Sequence, residues 1–185
     1  MAARIEAIGG WLFERRGWLP VPLLALVLAP VPSQWAAGLA LIGLGEAVRL
    51  AAVGHIGLPS RTRGADVGVL VDSGPYAWVR NPLYVGNLLL WAGLGVVAWP
   101  AALVMVPLLA LYYTAIVRWE EANLTVRLGA PYVAYRARVP RWVPAPPAEA
   151  AAGRWSLEKA LRSERTTLLV LALVLGALVL RGSSP

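Results

Sequence analysis

Cysteine is absent from the 185 residues, and histidine occurs once, as His55. Without cysteine there is no disulfide framework, no thiol nucleophile and no thiolate metal site. A single imidazole also excludes a metal site built from several histidines. Charge is scarce, because Asp, Glu, Lys and Arg make up 15% of the chain, against about 25% in ordinary soluble domains.

Apolar residues fill the chain instead: 58% of it is hydrophobic. A soluble domain of this length has too small an interior to bury so much apolar surface. We therefore expect an all-α, polytopic transmembrane helical bundle that forms a single integral membrane domain over residues 1–185. The pattern predicts about five spans, with four as the main alternative. The apolar runs are 18–31, 35–53, 84–99, 101–119 and 166–180.

The 17 basic residues are confined, except for Arg49 and Arg181, to the segments that would share one side of a five-span bundle. The positive-inside rule then places the N-terminus and both long loops in the cytoplasm. The Ala/Leu/Gly/Arg/Pro-rich composition indicates a bacterial inner membrane. We expect membrane lipids, and no nucleic acid, to account for the net charge of +7. The basic residues on this side are Arg4, Arg15, Arg16, Arg61, Arg63, Arg80, Arg118, Arg127, Arg136, Arg138, Arg141, Arg154, Lys159, Arg162 and Arg165.

The first sixteen residues place apolar side chains at helical spacing, as Ile5, Ile8 and Leu12 show. This spacing predicts an interfacial amphipathic helix over residues 1–16. A cleaved signal peptide is the alternative, although Pro30 and Pro32 crowd any cleavage site.

Two polar segments within 73–144 carry the residues capable of chemistry. The first, residues 73–86, breaks at Gly74-Pro75 and again at Asn81-Pro82. Arg80 lies there at the expected membrane edge, where a guanidinium can hold a carboxylate through two hydrogen bonds. The alternative is an arginine that reaches lipid phosphate.

The second polar segment follows the fourth apolar run and begins with Glu120 and Glu121. The helix of that run should continue through this pair and end at Gly129. Past the glycine, Tyr132, Tyr135 and Arg136 are spaced to share one helical face. Ordinary ion pairing of the two carboxylates, and aromatic anchoring of the short helix at the interface, are the alternatives.

Glu46 and Arg49 lie three residues apart inside the second span, and His55 lies near its end. Ionisable groups within a membrane are costly and usually face the bundle interior in pairs. The two residues either pair with each other or reach a buried ligand, and the sequence leaves both open. His55 alone is typical of a structural residue.

The two segments resemble the motifs of the isoprenylcysteine carboxyl methyltransferase and phospholipid methyltransferase superfamily of integral membrane enzymes. That pattern reads G-x-Y-x-x-V-R-H-P-x-Y-x-G, then a span, then E-E-x-x-L-x-x-x-[FY]-G-x-x-Y-x-x-Y and V-P-R. Asn81 replaces the histidine of the pattern, and Leu128 replaces its aromatic residue. Asparagine forms hydrogen bonds but does not titrate. The matching residues are Gly74, Tyr76, Val79, Arg80, Pro82, Tyr84, Gly86, Glu120, Glu121, Leu124, Gly129, Tyr132, Tyr135, Val139, Pro140 and Arg141.

The resemblance implies S-adenosylmethionine as methyl donor, held at a cytoplasmic helical and loop segment, with no metal. Glu120 or Glu121 suits the amino group of that cofactor, and Arg80 suits its carboxylate. The catalytic residues implied are Glu121, Arg80 and Arg136. The implied cofactor-binding residues are Tyr76, Arg80, Asn81, Pro82, Tyr84, Gly86, Glu120, Glu121, Tyr132 and Tyr135.

The acceptor implied is a lipophilic small molecule or a lipid, either an amine or a carboxylate. Glu121 or Glu120 could assist deprotonation of an amine, and Arg136 or Arg141 could steer a carboxylate. The sequence leaves the acceptor and the oligomeric state open. Two alternatives remain: an NADPH-dependent membrane reductase of the sterol-reductase type, and a non-catalytic membrane protein that binds a lipid or a partner.

Overall fold

In a computed structural model of the protein, which describes residues 2–29, 33–56, 70–147 and 153–183, helices account for all the regular structure of those ranges. A short 3₁₀ helix, Val21–Leu23, leads directly into α2. The all-helical class predicted from the sequence is confirmed. The helices are α1 (Ala2–Glu14), α2 (Leu24–Leu28), α3 (Trp35–Ile56), α4 (Pro75–Trp78), α5 (Pro82–Val97), α6 (Ala102–Leu128), α7 (Ala130–Arg138) and α8 (Leu157–Gly182).

Within the described residues, three helices are long and apolar enough to cross a membrane: α3, α6 and α8. The fourth apolar helix, α5, has 16 residues, which is below the roughly 20 that a straight span needs. The count of about five spans therefore stays a prediction, as does the cytoplasmic orientation. Arg61 and Arg63, on which that orientation partly depends, lie outside the described residues, as do Pro30 and Pro32.

The first apolar run does not form one spanning helix. The chain turns through residues 15–20, forms the short 3₁₀ helix, and is α-helical only over the five residues of α2. Pro20 and Pro22 explain this, because each removes a backbone N–H donor and its ring blocks the preceding turn of a helix. The last apolar run belongs to a helix that is longer than predicted, since α8 begins at Leu157, nine residues before the predicted start.

Glycines allow α3 and α5 to pack backbone against backbone, and this is the most extensive contact between two of the described helices. A Cβ atom at Gly93 would lie 2.6 Å from the carbonyl oxygen of Gly38, and one at Gly45 would lie 2.8 Å from that of Gly86. Close approach through small residues is how membrane helices gain packing energy without a hydrophobic driving force. The same contact fixes where α3 and α5 face each other near the polar segments.

The predicted helix through the glutamate pair is confirmed. The helix α6 runs without interruption to Leu128 and ends at Gly129, whose φ of +62° is open to glycine at little cost. The N-terminal helix is also present, and α1 packs on α6 where Gly10 meets the ring of Trp119. Side-chain hydrogen bonds join the polar parts of α3, α5, α6 and α8, which meet at one end of the bundle.

Candidate functional site

The first motif forms a short helix and a turn at the polar end of the bundle. Gly74 has a φ of +56°, and a Cβ atom there would lie 2.3 Å from the ring of His55. Glycine is therefore required twice, by the backbone conformation and by the space. Pro75 and Pro82 start α4 and α5 as first helical residues, where proline is well tolerated. The extended residue between the two helices brings Arg80 towards α6.

Glu121 of α6 is the centre of an ion-pair cluster that joins three separate segments. Its side chain is almost fully enclosed, with the residue 2% exposed. The guanidinium of Arg141 donates to both carboxylate oxygens, with the terminal nitrogen 2.8 Å from Oε2. Arg80 donates to Oε2 from 3.3 Å. One carboxylate thus neutralises part of the charge of two guanidiniums, that of the largely buried Arg80 and that of the partly exposed Arg141.

Asn81 stands where the family pattern has histidine, and its amide lies inside this cluster. The Nδ2 atom donates to Glu121 Oε1 at 3.3 Å and to the backbone oxygen of Arg141 at 3.3 Å. The backbone N–H of Arg80 also donates to the oxygen of Pro140, at 2.8 Å. The hydrogen bond to Glu121 raises the pKa of Arg141 above its ordinary value. The contacts of residue 81 therefore use a hydrogen-bond donor, which asparagine supplies without a titrating group.

The two tyrosines predicted on α7 are buried, whereas the arginine beside them is not. Tyr132 and Tyr135 pack together in the core, and the Tyr135 hydroxyl donates to the backbone oxygen of Tyr76 at 2.8 Å. Arg136 is exposed and donates to Thr125 at 3.0 Å. The three positions share the predicted side of the helix, but Arg136 lies at its solvent edge, whereas the two tyrosines are enclosed.

Two buried donors of the first motif have no hydrogen-bond partner among the described residues. They are the hydroxyl of Tyr76 and the Nε of Arg80. Burial raises the pKa of Tyr76 well above its ordinary value, so the phenol keeps its proton. A buried donor without a partner costs about 1–3 kcal/mol. Both groups are thus suited to an acceptor atom of a bound molecule.

The second glutamate, Glu120, faces a different region. Its Oε2 accepts a hydrogen bond from the hydroxyl of Tyr84 at 3.0 Å. Both side chains line a cavity of about 500 Å³ that lies between the segment 13–24 and helices α3, α5, α6 and α8. The cavity is large enough to hold a small organic ligand or part of a lipid.

A second polar cluster lines the same cavity around Arg49. This guanidinium donates to Glu164 Oε2, with its Nε 3.1 Å away, to the side-chain oxygen of Asn87, and to Thr167 at 3.3 Å. Glu46 lies 3.8 Å from it. Arg49 therefore ties α3 to both α5 and α8 and contacts the cavity. The sequence left two hypotheses open, structural pairing and contact with a ligand site. The arrangement of Arg49 is compatible with both.

The cavity changes from polar to apolar along two helices at once. On α5 the lining runs from Tyr84 and Asn87 to Leu90 and Leu94. On α8 it runs from polar residues near 164–167 to apolar ones over 170–174. Both helices begin at the polar end of the bundle, so the two gradients point the same way. The cavity is therefore suited to an amphipathic molecule.

The structure places the sequence-predicted site residues in two groups and leaves one residue apart. The contacts around Glu121 involve Arg80 and Asn81, and the buried aromatic contacts lie next to them. Pro82 and Gly86 have structural roles. The proline begins α5, and a Cβ atom at Gly86 would lie 2.5 Å from the Cγ of Arg49. Tyr76, Arg80, Asn81, Glu121, Tyr132 and Tyr135 lie together, Tyr84 and Glu120 meet at the cavity, and Arg136 is exposed, apart from both groups.

Sequence reasoning missed Asn87, Glu164 and the direct pairing of Arg141 with Glu121. Glu164 falls in a stretch that reads as polar loop, because basic residues surround it. One signal was present: Ser156 caps α8, and its hydroxyl accepts from the backbone N–H of Lys159 at 3.3 Å. Extending the last helix back to that cap places Glu164 and Thr167 on one face.

The apolar helices of spanning length indicate an integral membrane protein, and the cavity that they enclose beside the polar cluster is of ligand size. Residues 33–129 match the sequence model of the phospholipid methyltransferase family. The match covers more than half of the chain, and the chain belongs to this family. The resemblance inferred from the two motifs is thereby confirmed, and family membership indicates a membrane methyltransferase.

Two curated proteins are similar to the chain. The cobalt-zinc-cadmium resistance protein CzcN of Cupriavidus metallidurans is 37% identical over 99 residues, which is 52% of this chain and 45% of that protein. The nickel-cobalt-cadmium resistance protein NccN of Alcaligenes xylosoxydans xylosoxydans is 33% identical over 144 residues, 74% of this chain and 64% of that protein. The chain thus spans between about half and two thirds of these relatives. No solved structure matches.

Proposed function

We propose that the protein is an S-adenosylmethionine-dependent methyltransferase that acts on a lipophilic acceptor at the cytoplasmic face of the membrane. One observation carries the proposal: Tyr84 of the first motif and Glu120 of the second meet at a cavity that runs from polar to apolar. A site of this kind can hold the polar group of a membrane molecule beside the motif residues. The family to which the chain belongs supports methyl transfer as the reaction class.

The residues of the motifs fit the polar groups of the cofactor. The cofactor would supply a methyl group activated on a sulfonium. The Tyr76 hydroxyl and the Arg80 Nε are buried donors without partners among the described residues, and they suit acceptor atoms such as a carboxylate. Glu120 suits a cationic group. Tyr132 and Tyr135 pack against each other next to Tyr76, whose backbone oxygen accepts from the Tyr135 hydroxyl. These protein groups bind, orient and exclude water, which is most of what a displacement needs.

The acceptor is proposed to enter the cavity with its apolar part among Leu90, Leu94 and the residues of α8. Its nucleophilic group then lies at the polar end. A lipid amine needs to lose a proton, for which a carboxylate of the motif is the available base. A carboxylate acceptor needs a cation. Arg141 belongs to the cluster around Glu121, whereas Arg136 is exposed. The chemistry of the site accommodates either class.

The proposal is tested by calorimetric titration of the full chain, purified in detergent, with S-adenosylhomocysteine. Wild type is expected to bind saturably, and Arg80→Ala to lose binding. The matched control is Arg118→Ala, since Arg118 is exposed on the same helix as the glutamates and should bind like wild type. NADPH is titrated in parallel. Binding of NADPH alone would instead indicate a reductase, and binding of neither by folded protein would contradict the proposed activity.

A further inference from the structure

One wall of the cavity comes from a part of the chain that precedes the family match. The match begins at residue 33, whereas the segment 13–24 lines the cavity together with the helices. The helix α1 ends at Glu14, and residues 15–20 form turns before the short 3₁₀ helix. The chemistry of this wall therefore belongs to this chain and is not set by the family motifs. The lining residues of the segment are Phe13, Arg16, Gly17, Pro20, Val21 and Leu24.

Four charged side chains among the described residues line the cavity, and two of them neutralise each other. Arg49 and Glu164 form a buried ion pair. Glu120 accepts a hydrogen bond from the hydroxyl of Tyr84. Arg16 is the other cation of the lining, and it forms no ion pair within the part of the chain that the structure describes. Its positive charge is thus available to a bound molecule.

The guanidinium of Arg16 is held in place but keeps most of its donors. It stacks over the ring of Phe13, 3.7 Å from the centroid, and its Nη1 donates to the Phe13 backbone oxygen at 2.9 Å. A guanidinium has five N–H donors, and this is the single hydrogen bond that Arg16 donates to the described residues. The remaining donors can hold a carboxylate or a phosphate in the two-bond geometry that arginine favours.

The other arginines near the site are committed to carboxylates of the protein. Arg80 and Arg141 share Glu121, and Arg49 is paired as described above. An anion that displaced one of these carboxylates would leave it buried without its cation, which is strongly unfavourable. Arg16 has no carboxylate to displace in the described part of the chain. An anionic group that enters the cavity is therefore directed to Arg16.

The segment 13–24 follows the same change from polar to apolar as α5 and α8. Phe13 packs on the ring of Trp119, which lies beside the glutamate pair of α6, with ring centroids 4.8 Å apart. Leu24, at the other end of the segment, packs on the apolar core that contains Leu90. Because Arg16 contacts the ring of Phe13, it lies at the polar end of the cavity. An acidic head group at Arg16 would leave an apolar chain directed towards Leu90.

We propose that Arg16 binds an acidic group of the lipophilic acceptor, a carboxylate or a phosphate ester, and that the segment 13–24 thereby selects acidic amphiphiles. The inference rests on the proposed function for the identity of this molecule as the methyl acceptor. A carboxylate at Arg16 would be the reacting group itself, whereas a phosphate ester would lie beside the reacting group. Both present the same chemistry to a guanidinium.

Binding of acidic amphiphiles is tested by calorimetric titration of the full chain in dodecyl maltoside, with decanoate and decyl phosphate as probes. Decylamine is the probe of opposite charge, and inorganic phosphate is the anion without an apolar part. Wild type is expected to bind at least one of the two acids more tightly than decylamine and inorganic phosphate. Preference for decanoate or for decyl phosphate identifies the acidic group. Tighter binding of decylamine, equal binding of inorganic phosphate, or no binding of either acid by folded protein would overturn the proposal.

Matched substitutions of two neighbouring arginines test the residue. Arg16→Gln is expected to weaken binding of the acid by about tenfold or more, since a charge-assisted pair is lost. The control is Arg15→Gln, which removes the same charge from a residue that stacks on Trp11, pairs with Glu14 and is not among the described residues of the lining. It should bind like wild type. Equal losses in the two variants would mean a general attraction of anions to a basic protein and would overturn the proposal.

Arg16→Lys keeps the charge without the two-bond geometry, and it decides the question if Arg16→Gln does not fold. It is expected to keep the melting temperature of wild type and to bind the acid several-fold more weakly, because lysine does not replace arginine at a two-bond contact. An affinity equal to that of wild type would contradict the proposed contact.

Titration with S-adenosylhomocysteine separates this inference from the proposed function. Arg16→Gln is expected to bind it like wild type, because the cofactor carboxylate is assigned to Arg80. Loss of S-adenosylhomocysteine binding with binding of the acid unchanged would assign Arg16 to the cofactor and overturn the inference. If wild type failed to bind S-adenosylhomocysteine but bound the acid in a manner that depends on Arg16, the methyltransferase would be refuted and the anion site would stand.

Discussion

Replacing Arg49 with methionine tests how the polar end of the bundle is held together. The guanidinium bonds to Glu164 and Thr167 of α8 and to Asn87 of α5, and Glu46 lies 3.8 Å away. Methionine keeps the apolar stem but leaves two buried carboxylates without this cation. Removing one partner of a buried ion pair costs about 3–5 kcal/mol. We expect Arg49→Met to lower the free energy of unfolding by about that amount.

Glu164→Gln should cost less, because the amide still accepts a hydrogen bond and Glu46 remains near Arg49. The loss expected is about 1–3 kcal/mol. The double variant should be less unstable than the sum of the two, with a coupling of about 0.5–3 kcal/mol as found for residues in contact. The assay is unfolding in mixed micelles of rising dodecyl sulfate content, followed by fluorescence of the nine tryptophans.

The control is Glu158→Gln, an exposed carboxylate in the first turn of the same helix. It should change the free energy of unfolding by less than about 0.5 kcal/mol. Additive effects of Arg49→Met and Glu164→Gln would refute the reasoning, because they would mean that the two side chains contribute independently. A larger loss for Glu164→Gln than for Arg49→Met would refute the charge argument.

Two further measurements address the packing and the orientation. Gly86→Val should lower the melting temperature in detergent, since even a Cβ atom there would lie 2.5 Å from the Cγ of Arg49, whereas Gly43→Val, where a Cβ atom meets nothing, should leave it unchanged. Because the chain has no cysteine, Ser156→Cys and Ser183→Cys each introduce a single thiol. In intact cells an impermeant maleimide should label position 183 and not 156, and the reverse would contradict the proposed orientation.

The sequence predicted the helices best where apolar runs ended in residues with a definite backbone preference. Gly129 marked the end of α6, and Pro82 marked the start of α5 within two residues. Prediction was poorer where a helix began in polar sequence, as α8 does at Leu157. A charged stretch is easily assigned to a loop unless the residue that caps the helix is recognised. The prolines of the first apolar run predict a kinked or short segment, and α2 has only five residues; whether this run contributes a span stays a prediction.

The motif residues could be predicted as a group, but their division of labour could not. Sequence spacing places Glu120 and Glu121 side by side, and only the packing of α6 against its neighbours shows that one faces the arginines and the other the cavity. The pairing of Arg49 with Glu164 could not be predicted either, since Glu164 lies 115 positions further along the chain. Contacts at that separation depend on how the helices are arranged, which local patterns do not encode.

The hydrogen bond from the backbone N–H of Arg80 to the oxygen of Pro140 sets an order of events during synthesis. The first motif leaves the ribosome well before the residues that hold it. Until Pro140 and Arg141 have emerged, Glu121 lacks its closest cation and Arg80 lacks a fixed backbone. The site therefore closes late, after both helices of the α5–α6 hairpin have been made, and a nascent chain stopped at Gly129 would contain the whole family match without a finished site.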